Sequence, residues 1–264
     1  MRNFIVESYE NSKEEERLTT NNARKIEFMT TTRIFGELFD RKKKVLDCAA
    51  GTGVYAFYLA EKGFEVTATD ITPRHIEIMK QKLIDKTYNM NTAVLDATDM
   101  NIFADESFDI VLNMGPFYHL LTVGQRQRCI SESIRVLKKG GILVTSYIPR
   151  YYVFQHVAMS DKRYFDRRLA EQIINTGVLK HDDENCFWTD TYYSSMKEME
   201  ELYKEKSLNI IDHFAQDGMS PLLREKIDIL SAAQFEVWCN YHYSICREKS
   251  VLGASNHVVI VGRK

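Results

Sequence analysis

Proline and glycine are scarce in this sequence, with 4 Pro and 12 Gly among 264 residues. That scarcity excludes a collagen-like chain and a low-complexity tail, which are much richer in these residues. An excess of one charge is also missing, because 35 basic residues face 37 acidic ones and the net charge is −2. The chain therefore has no general attraction to DNA, RNA or anionic lipid, although a local basic patch stays open.

Long apolar runs are missing as well. No stretch approaches the roughly 18–20 residues that a membrane-spanning helix needs. The apolar run at residues 4–6 is far too short for a signal-peptide core, and acidic residues follow it at once. We therefore expect a cytoplasmic protein that does not associate with membranes.

The five cysteines form no Cys-x-x-Cys pair, and their odd number weighs against a disulfide framework. Cys239, His242 and Cys246 have a spacing that would place them on one face of a helix, as a metal site requires. Small thiols packed beside an aromatic helix face explain the same spacing. We favour that second interpretation and expect no metal.

Short apolar strands alternate with helical segments along the chain. This alternation predicts an α/β fold, a doubly wound, mostly parallel sheet of seven strands with helices on both faces. Helices are expected near Ile26–Phe39, up to Lys62, and over 73–85, 125–137 and 221–249, with another starting at the capping box Ser195-x-x-Glu198. The expected strands are 44–48, 64–69, 92–95, 108–113, 142–148, 208–214 and 257–261.

The chain is expected to form one domain, because no Gly/Ser-rich linker divides it. Its core would comprise residues 20–149 and 208–264. An insert at about 150–207 is rich in aromatic residues and would cap a water-poor pocket. The alternative for this insert is a secondary core under a lid, and both can hold. Residues 1–20 or so would form an N-terminal lid.

A glycine loop follows the first predicted strand. Gly51-x-Gly53-x-x-Ala56 allows a sharp turn and a close backbone approach to a ligand, and a helix N-terminus follows it. Asp70 lies nineteen residues after Gly51, at the end of the second strand, where a carboxylate can bind ribose hydroxyls. The loop therefore predicts adenosine recognition, although such a fingerprint alone also occurs in ordinary tight turns.

Asp47 distinguishes between two kinds of adenosine cofactor. A carboxylate at the end of the first strand would repel the pyrophosphate of a dinucleotide, whereas it would attract an ammonium or a sulfonium. Together with the loop, it forms the pattern Asp47-x-Ala49-x-Gly51-x-Gly53, which resembles the first motif of class I S-adenosylmethionine-dependent methyltransferases. Ala49 replaces the first glycine of that motif, and we expect a slightly altered turn and an intact site.

The resemblance covers residues 45–145 and is closest to bacterial small-molecule members of the family. It implies the Rossmann-like methyltransferase fold, S-adenosylmethionine as cofactor and S-adenosylhomocysteine as product. Asp70, followed by Ile71, stands at the position of the ribose-binding acid. Asp96 and Ala97 match the segment that binds the adenine edge. The resemblance also implies cofactor contacts from the fourth-strand segment, Asn113, Met114 and Gly115.

The candidate catalytic residues follow the fourth strand. Residues 115–120 resemble the Gly-Pro-x-Tyr-His-Leu loop of bacterial small-molecule methyltransferases. His119 is a candidate general base because imidazole titrates near neutral pH; the alternative is a histidine bonded to backbone. Tyr118 is a candidate contact to cofactor or acceptor, with core packing as its alternative. Methyl transfer needs mainly alignment and exclusion of water, so no catalytic triad is required.

Arg17 is a candidate partner of the cofactor's methionine carboxylate, since a guanidinium binds a carboxylate in fork geometry. In similar methyltransferases the N-terminal segment, here with Tyr9 and Glu14–Glu16, folds over the cofactor. The alternative for Arg17 is a solvated surface charge, and the glutamate run is most simply a solvated face.

The leading hypothesis is methyl transfer to an O or N atom of a small molecule. An RNA or protein methyltransferase is the second hypothesis, but the basic face and Asn-Pro-Pro-Tyr loop that it predicts are not evident. An NAD(P)-dependent oxidoreductase and a non-enzymatic cofactor-binding module are the third and fourth. We expect a small-molecule partner, with nucleic acid disfavoured, and a monomer or a homodimer.

Overall fold

The computed structural model describes residues 2–10, 17–40 and 43–264. Seven strands form one sheet in the order β3-β2-β1-β4-β5-β9-β8. The first five are parallel, and β9 runs antiparallel to both β5 and β8. The strands are β1 (Lys44–Asp47), β2 (Glu65–Asp70), β3 (Met90–Val94), β4 (Phe108–Asn113), β5 (Leu137–Tyr147), β6 (Val178–Leu179), β7 (Thr191–Tyr192), β8 (Asn209–Ala215) and β9 (Val258–Arg263).

Helices cover the sheet, and their ends match the capping signals of the sequence. Asn21, Thr122 and Ser195 each accept a hydrogen bond from a first-turn backbone N–H. The helices are α1 (Arg2–Glu10), α2 (Asn22–Leu38), α3 (Val54–Glu61), α4 (Pro73–Leu83), α5 (Val123–Val136), α6 (Arg150–Ser160), α7 (Arg167–Thr176), α8 (Met196–Glu205), α9 (Arg224–Ile227), α10 (Ala232–Ile245) and α11 (Lys249–Leu252).

The seven-stranded, mostly parallel sheet confirms the predicted Rossmann-like methyltransferase fold. Strand β1 pairs in parallel with β2 on one side and with β4, the central strand, on the other. The carboxyl ends of these three strands, at Asp47, Asp70 and Asn113, therefore meet at one edge of the sheet. This edge carries the candidate site.

Two predicted elements are wrong in extent. The single helix expected over 221–249 is divided into α9 and the longer α10, because Ser231 caps a new helix through a capping box with Gln234. The strand expected to start at residue 142 starts at Leu137, because Leu137 pairs with Phe108 across a bulge. Gly140, with φ 75°, lets the backbone pass through this irregular stretch.

The segment between β5 and α8 forms a small second core beside the main one. Helices α6 and α7 and the two-stranded sheet β6–β7 surround a buried cluster that includes Val153, Ile173 and Tyr193. Tyr118, from the loop after β4, belongs to the same cluster. This segment therefore packs against the sheet edge described above. Among the described residues, no helix is both long and apolar enough to cross a membrane.

Candidate active site

A cavity opens at the carboxyl edge of β1, β2 and β4. It encloses about 1250 Å³, including space open to solvent. Ten of the twelve predicted cofactor-binding residues line it, as do both predicted catalytic residues. The ten are Arg17, Asp47, Ala49, Gly51, Asp70, Ile71, Asp96, Ala97, Met114 and Gly115.

Gly53 and Asn113 are the two exceptions, since neither lines the cavity. Gly53 is the N-cap of α3 with φ 90°, and a Cβ there would lie 2.9 Å from Met79 Sδ. Its role is to let the turn close against the core. The amide of Asn113 is buried and donates to Cys129 Sγ at 3.0 Å, so its side chain points toward α5.

The glycine loop tolerates Ala49 without strain. Gly51 and Gly53 occupy left-handed backbone, with φ of 55° and 90°, whereas Ala49 does not. The methyl of Ala49 lies beside Gly115, where an added Cβ would be 3.4 Å away. Loop and fourth-strand segment therefore pack closely, and both present backbone to the cavity.

Asp47 is a buried carboxylate that lacks a compensating charge. Its side chain is 1% exposed, and Oδ1 makes no hydrogen bond to any described residue. Burial and the nearby charge of Asp70 raise the pKa of Asp47 to about 7. An ammonium group placed in the cavity would supply the missing partner, whereas a phosphate would be repelled. The residues present therefore fit the amino-acid end of S-adenosylmethionine and disfavour a pyrophosphate.

Asp70 is held in a fixed orientation. Oδ2 accepts from the Gly51 N–H at 2.8 Å, and Oδ1 accepts from the Thr72 N–H at 2.8 Å. His75 Nδ1 lies 3.2 Å from Oδ1. Burial raises the pKa of Asp70, but the His75 contact and the two N–H donors outweigh it and lower the net pKa. An ionised, oriented carboxylate at this position suits two ribose hydroxyls; the sequence reasoning missed its support by His75.

Asp96 lies at the far end of the cavity after β3. Its Oδ1 accepts from the backbone N–H of Thr98 at 2.8 Å and from its hydroxyl at 2.7 Å. These bonds fix the carboxylate beside Ala97, which is buried and also lines the cavity. The arrangement suits recognition of an adenine edge by the carboxylate and by the backbone.

His119 is engaged at both ring nitrogens. Nδ1 lies 3.0 Å from the backbone oxygen of Asp190, which can only accept, so Nδ1 carries the proton. Nε2 then accepts the hydroxyl proton of Tyr9 at 2.8 Å. Burial lowers the pKa of His119 to about 4. This geometry does not support the predicted role as general base; it supports anchoring of α1 over the cavity through Tyr9.

Arg17 reaches the cavity wall but is committed to a protein carboxylate. Its guanidinium donates to both oxygens of Glu27, at 2.8 and 2.9 Å. Glu27 is buried on α2. If Arg17 pairs with the methionine carboxylate as predicted, it must share its guanidinium between that carboxylate and Glu27, or release Glu27. Residues 11–16, with the glutamate run, lie outside the described residues.

A second cavity adjoins the first. It encloses about 1570 Å³, including space open to solvent, and Tyr9, Arg17 and Tyr118 line both cavities. Aromatic side chains, several of them from the segment 150–207, supply much of its wall. The further aromatic residues are Tyr164, Phe187, Trp188 and Tyr193.

A cluster of ionisable groups at the second cavity was missed in the sequence. His257 Nδ1 lies 3.1 Å from Asp217 Oδ2 and 3.4 Å from Glu27 Oε2. Asp217 follows β8 and His257 precedes β9, whereas Glu27 is on α2. Only the fold brings them together, so no local motif marks them.

The sequence of residues 45–141 matches the methyltransferase domain family. The chain is 30% identical over 106 residues to a glycine/sarcosine N-methyltransferase of Parasynechococcus marenigrum, covering 40% of this chain and 38% of that protein. It is 35% identical over 133 residues to a demethylmenaquinone methyltransferase of Tropheryma whipplei, covering 50% and 53%. The chain thus spans about half the length of these curated relatives, or less.

Similarity at the level of structure extends further along the chain. A S-adenosylmethionine-dependent methyltransferase from Methanosarcina mazei superposes with a TM-score of 0.60 at 20% identity, over 88% of this chain and 96% of that one. The sequence match covers residues 45–141, which include strands β2 to β4, all but the first residue of β1 and most of the residues that line the first cavity. Residues 45–141 thus match the methyltransferase domain family, and the chain has the fold of solved S-adenosylmethionine-dependent methyltransferases.

Proposed function

We propose that the protein transfers a methyl group from S-adenosylmethionine to an O or N atom of a small-molecule acceptor. The observation that carries this proposal is Asp47, a buried carboxylate without a hydrogen-bond partner for Oδ1, at the cavity between the glycine loop and Gly115. A positively charged cofactor compensates this carboxylate, whereas a dinucleotide does not. The cofactor supplies an electrophilic methyl carbon on a sulfonium.

The protein's own residues supply binding, alignment and exclusion of water. Asp70 and Asp96 are placed to hold ribose and adenine, and Asp47 the ammonium. Tyr118 lies between the two cavities, with its ring 6.2 Å from that of Trp188. An acceptor in the second cavity would therefore meet the reactive end of the cofactor beside Tyr118. Arg17 is retained as a proposed contact to the methionine carboxylate.

A small acceptor is supported by the aromatic wall and by the charge of the chain. A net charge of −2 gives no general attraction to a polyanion. The relatives above are named for glycine and sarcosine in one case and for demethylmenaquinone in the other, and all three are small molecules. The cytoplasmic location and the monomeric or dimeric state stay predictions.

Two measurements test the proposal. Calorimetry of the pure protein with S-adenosylhomocysteine and, separately, with NADH distinguishes a methyltransferase from an oxidoreductase. Mass spectrometry of a metabolite extract incubated with S-adenosylmethionine carrying a deuterated methyl group then reveals the acceptor. Labelled small molecules are the expected result. Cofactor binding without any labelled small molecule, but with labelled RNA or protein, would favour the second hypothesis.

A further inference from the structure

We infer that His257, oriented by Asp217, is the general base of this enzyme, and that its acceptor reacts through an O–H or N–H group. This inference rests on the proposed function. The two residues lie on the second cavity and their side chains are 12% and 3% exposed. Nothing in the sequence motifs assigns a role to either residue.

The carboxylates beside His257 favour a proton on Nδ1. Asp217 Oδ2 lies 3.1 Å and Glu27 Oε2 3.4 Å from Nδ1, and both oxygens can only accept. The amide nitrogen of Asn256 also lies 3.0 Å from Nδ1, and we assign its N–H to Asp217 Oδ2, 3.4 Å away. Asp217 is itself held, because its Oδ1 accepts from the Ser255 hydroxyl at 2.9 Å and from the His257 N–H at 2.9 Å. The lone pair is then on Nε2, which makes no hydrogen bond to any residue that the structure describes. A neutral imidazole with a free Nε2 and a carboxylate on Nδ1 is equipped to take a proton.

The position of His257 is suitable for the reaction. Its ring centre is 6.3 Å from that of Tyr118, which lines both cavities. In-line transfer places the acceptor atom where the two cavities meet. A small acceptor at that point can therefore reach His257. Both ring nitrogens of His119, in contrast, already make hydrogen bonds within the protein.

The charges around His257 also support the role. Burial would lower the pKa of His257, but the carboxylates of Glu27 and Asp217 outweigh burial and Arg17, and the net pKa is raised. His156, on α6, faces the same cavity, and the positive charge of His257 contributes to its lowered pKa, which burial mainly causes. A raised pKa makes His257 a stronger base than an ordinary histidine.

The same three side chains could in principle hold a metal, since one donor atom from each of Glu27, Asp217 and His257 lies within 4.8 Å of the others. Their existing contacts argue against it. Arg17 occupies both oxygens of Glu27, and His257 and Ser255 occupy Asp217. A divalent ion would have to displace a guanidinium and the Nδ1 proton.

In the proposed reaction, methyl transfer is accompanied by removal of a proton from the acceptor. The acceptor atom forms a bond to the methyl carbon as the carbon–sulfur bond breaks, and the electron pair of that bond stays on sulfur as a neutral thioether. The acceptor's O–H or N–H proton moves to Nε2 of His257, and the resulting imidazolium is stabilised by Asp217. The proton then passes to solvent. A thioether or a tertiary amine has no such proton, and the pair would contribute nothing to its methylation.

The first test observes the tautomer directly. Protein labelled with ¹⁵N-histidine and saturated with S-adenosylhomocysteine is titrated with pH and followed by NMR. The signal of His257 is assigned as the one that His257→Asn removes. The control is His213→Gln, which changes a histidine outside both cavities. We expect the Nδ1–H tautomer, a pKa above the ordinary histidine value, and a lower pKa in Asp217→Asn. An Nε2–H tautomer at pH 8 would overturn the inference.

The second test follows transfer of the deuterated methyl group into a metabolite extract. We expect His257→Asn to slow labelling about 100-fold or more, the range of general base catalysis, with S-adenosylhomocysteine affinity within twofold of wild type. Imidazole should partly rescue His257→Gly, which a merely structural role would not allow. The rate should fall as the pH drops below the raised pKa of His257. In Asp217→Asn, this acidic limb of the pH profile should move to lower pH.

The outcomes separate the two proposals. If wild-type protein fails to bind S-adenosylhomocysteine, the methyltransferase proposal fails. If it binds and transfers, but His257→Asn keeps the wild-type rate and pH profile, only the inference about His257 fails. Loss of wild-type activity in EDTA, restored by Zn²⁺ or Mg²⁺, would assign the cluster to a metal and overturn the inference as well.

Discussion

The hydroxyl of Tyr9 donates to Nε2 of His119 at 2.8 Å, across 110 positions of sequence. This bond joins α1 to the loop after β4 and places α1 over the cofactor cavity, which Tyr9 and Ile5 help to line. His119 is buried, so a ring nitrogen left without a hydrogen bond there would carry a desolvation penalty. The N-terminal helix thus forms part of the wall of this cavity, and its role as a lid stays a prediction.

Removing the Tyr9 hydroxyl should weaken cofactor binding. Tyr9→Phe leaves the ring in place but removes one buried hydrogen bond, worth about 1 kcal/mol. We expect calorimetry to show an S-adenosylhomocysteine affinity about fivefold lower. The control is Tyr241→Phe, because Tyr241 is exposed on α10. Equal affinities for wild type and Tyr9→Phe would show that α1 does not contribute to the cofactor site.

Asp70→Ala should weaken S-adenosylhomocysteine binding more strongly. The loss is expected to be about 1.5–3 kcal/mol, because charge-assisted hydrogen bonds to the ribose are removed. Asp85→Ala, at an exposed position after α4, is the matched control. Titration calorimetry of the two variants measures the difference. Wild-type affinity in Asp70→Ala would remove Asp70 from the site.

Asp47 should make cofactor affinity depend on pH. Its pKa of about 7 in the free protein means that the carboxylate is largely protonated at pH 6 and ionised at pH 8. Because the ammonium of S-adenosylhomocysteine binds the ionised form better, affinity should rise as pH rises through 7. Asp47→Asn should bind more weakly and lose most of this rise. An identical pH dependence in both proteins would assign it to another group.

Gly53→Ala should destabilise the fold itself. The new Cβ would lie 2.9 Å from Met79 Sδ and from the Phe57 ring, at a φ of 90° that alanine rarely adopts. A loss of about 1–3 kcal/mol in the free energy of unfolding is expected from urea denaturation. Gly36→Ala is the control, since Gly36 lies in the last turn of α2 and nothing lies within 4 Å of its added Cβ. That variant should be unchanged or about 0.5–1 kcal/mol more stable; equal losses in both would contradict this account.

The cofactor cavity was largely predictable because its residues form short motifs at the ends of consecutive strands. Asp47, Asp70 and Asp96 each follow a recognisable apolar run, and parallel strands bring their ends to one edge. The burial of Asn113 toward α5 was not predictable, since alternation along a strand buried on both faces does not tell which face meets the ligand. Gly53 and Asn113 are the two predicted cofactor-binding residues that do not line this cavity.

The ionisable cluster of the second cavity was beyond sequence reasoning for a different reason. Glu27, Asp217 and His257 come from segments about 190 and 40 positions apart, and only the packing of α2 against the end of the sheet unites them. A signal did exist: Glu27 sits among buried apolar positions of α2, next to Ile26.

Titrations of the unmodified protein with S-adenosylhomocysteine and with NADH test most directly whether the cavity binds S-adenosylmethionine. We expect saturable 1:1 binding of S-adenosylhomocysteine, weakened in Asp70→Ala and Asp47→Asn, and no measurable binding of NADH. Tight binding of NADH without binding of the thioether would contradict it.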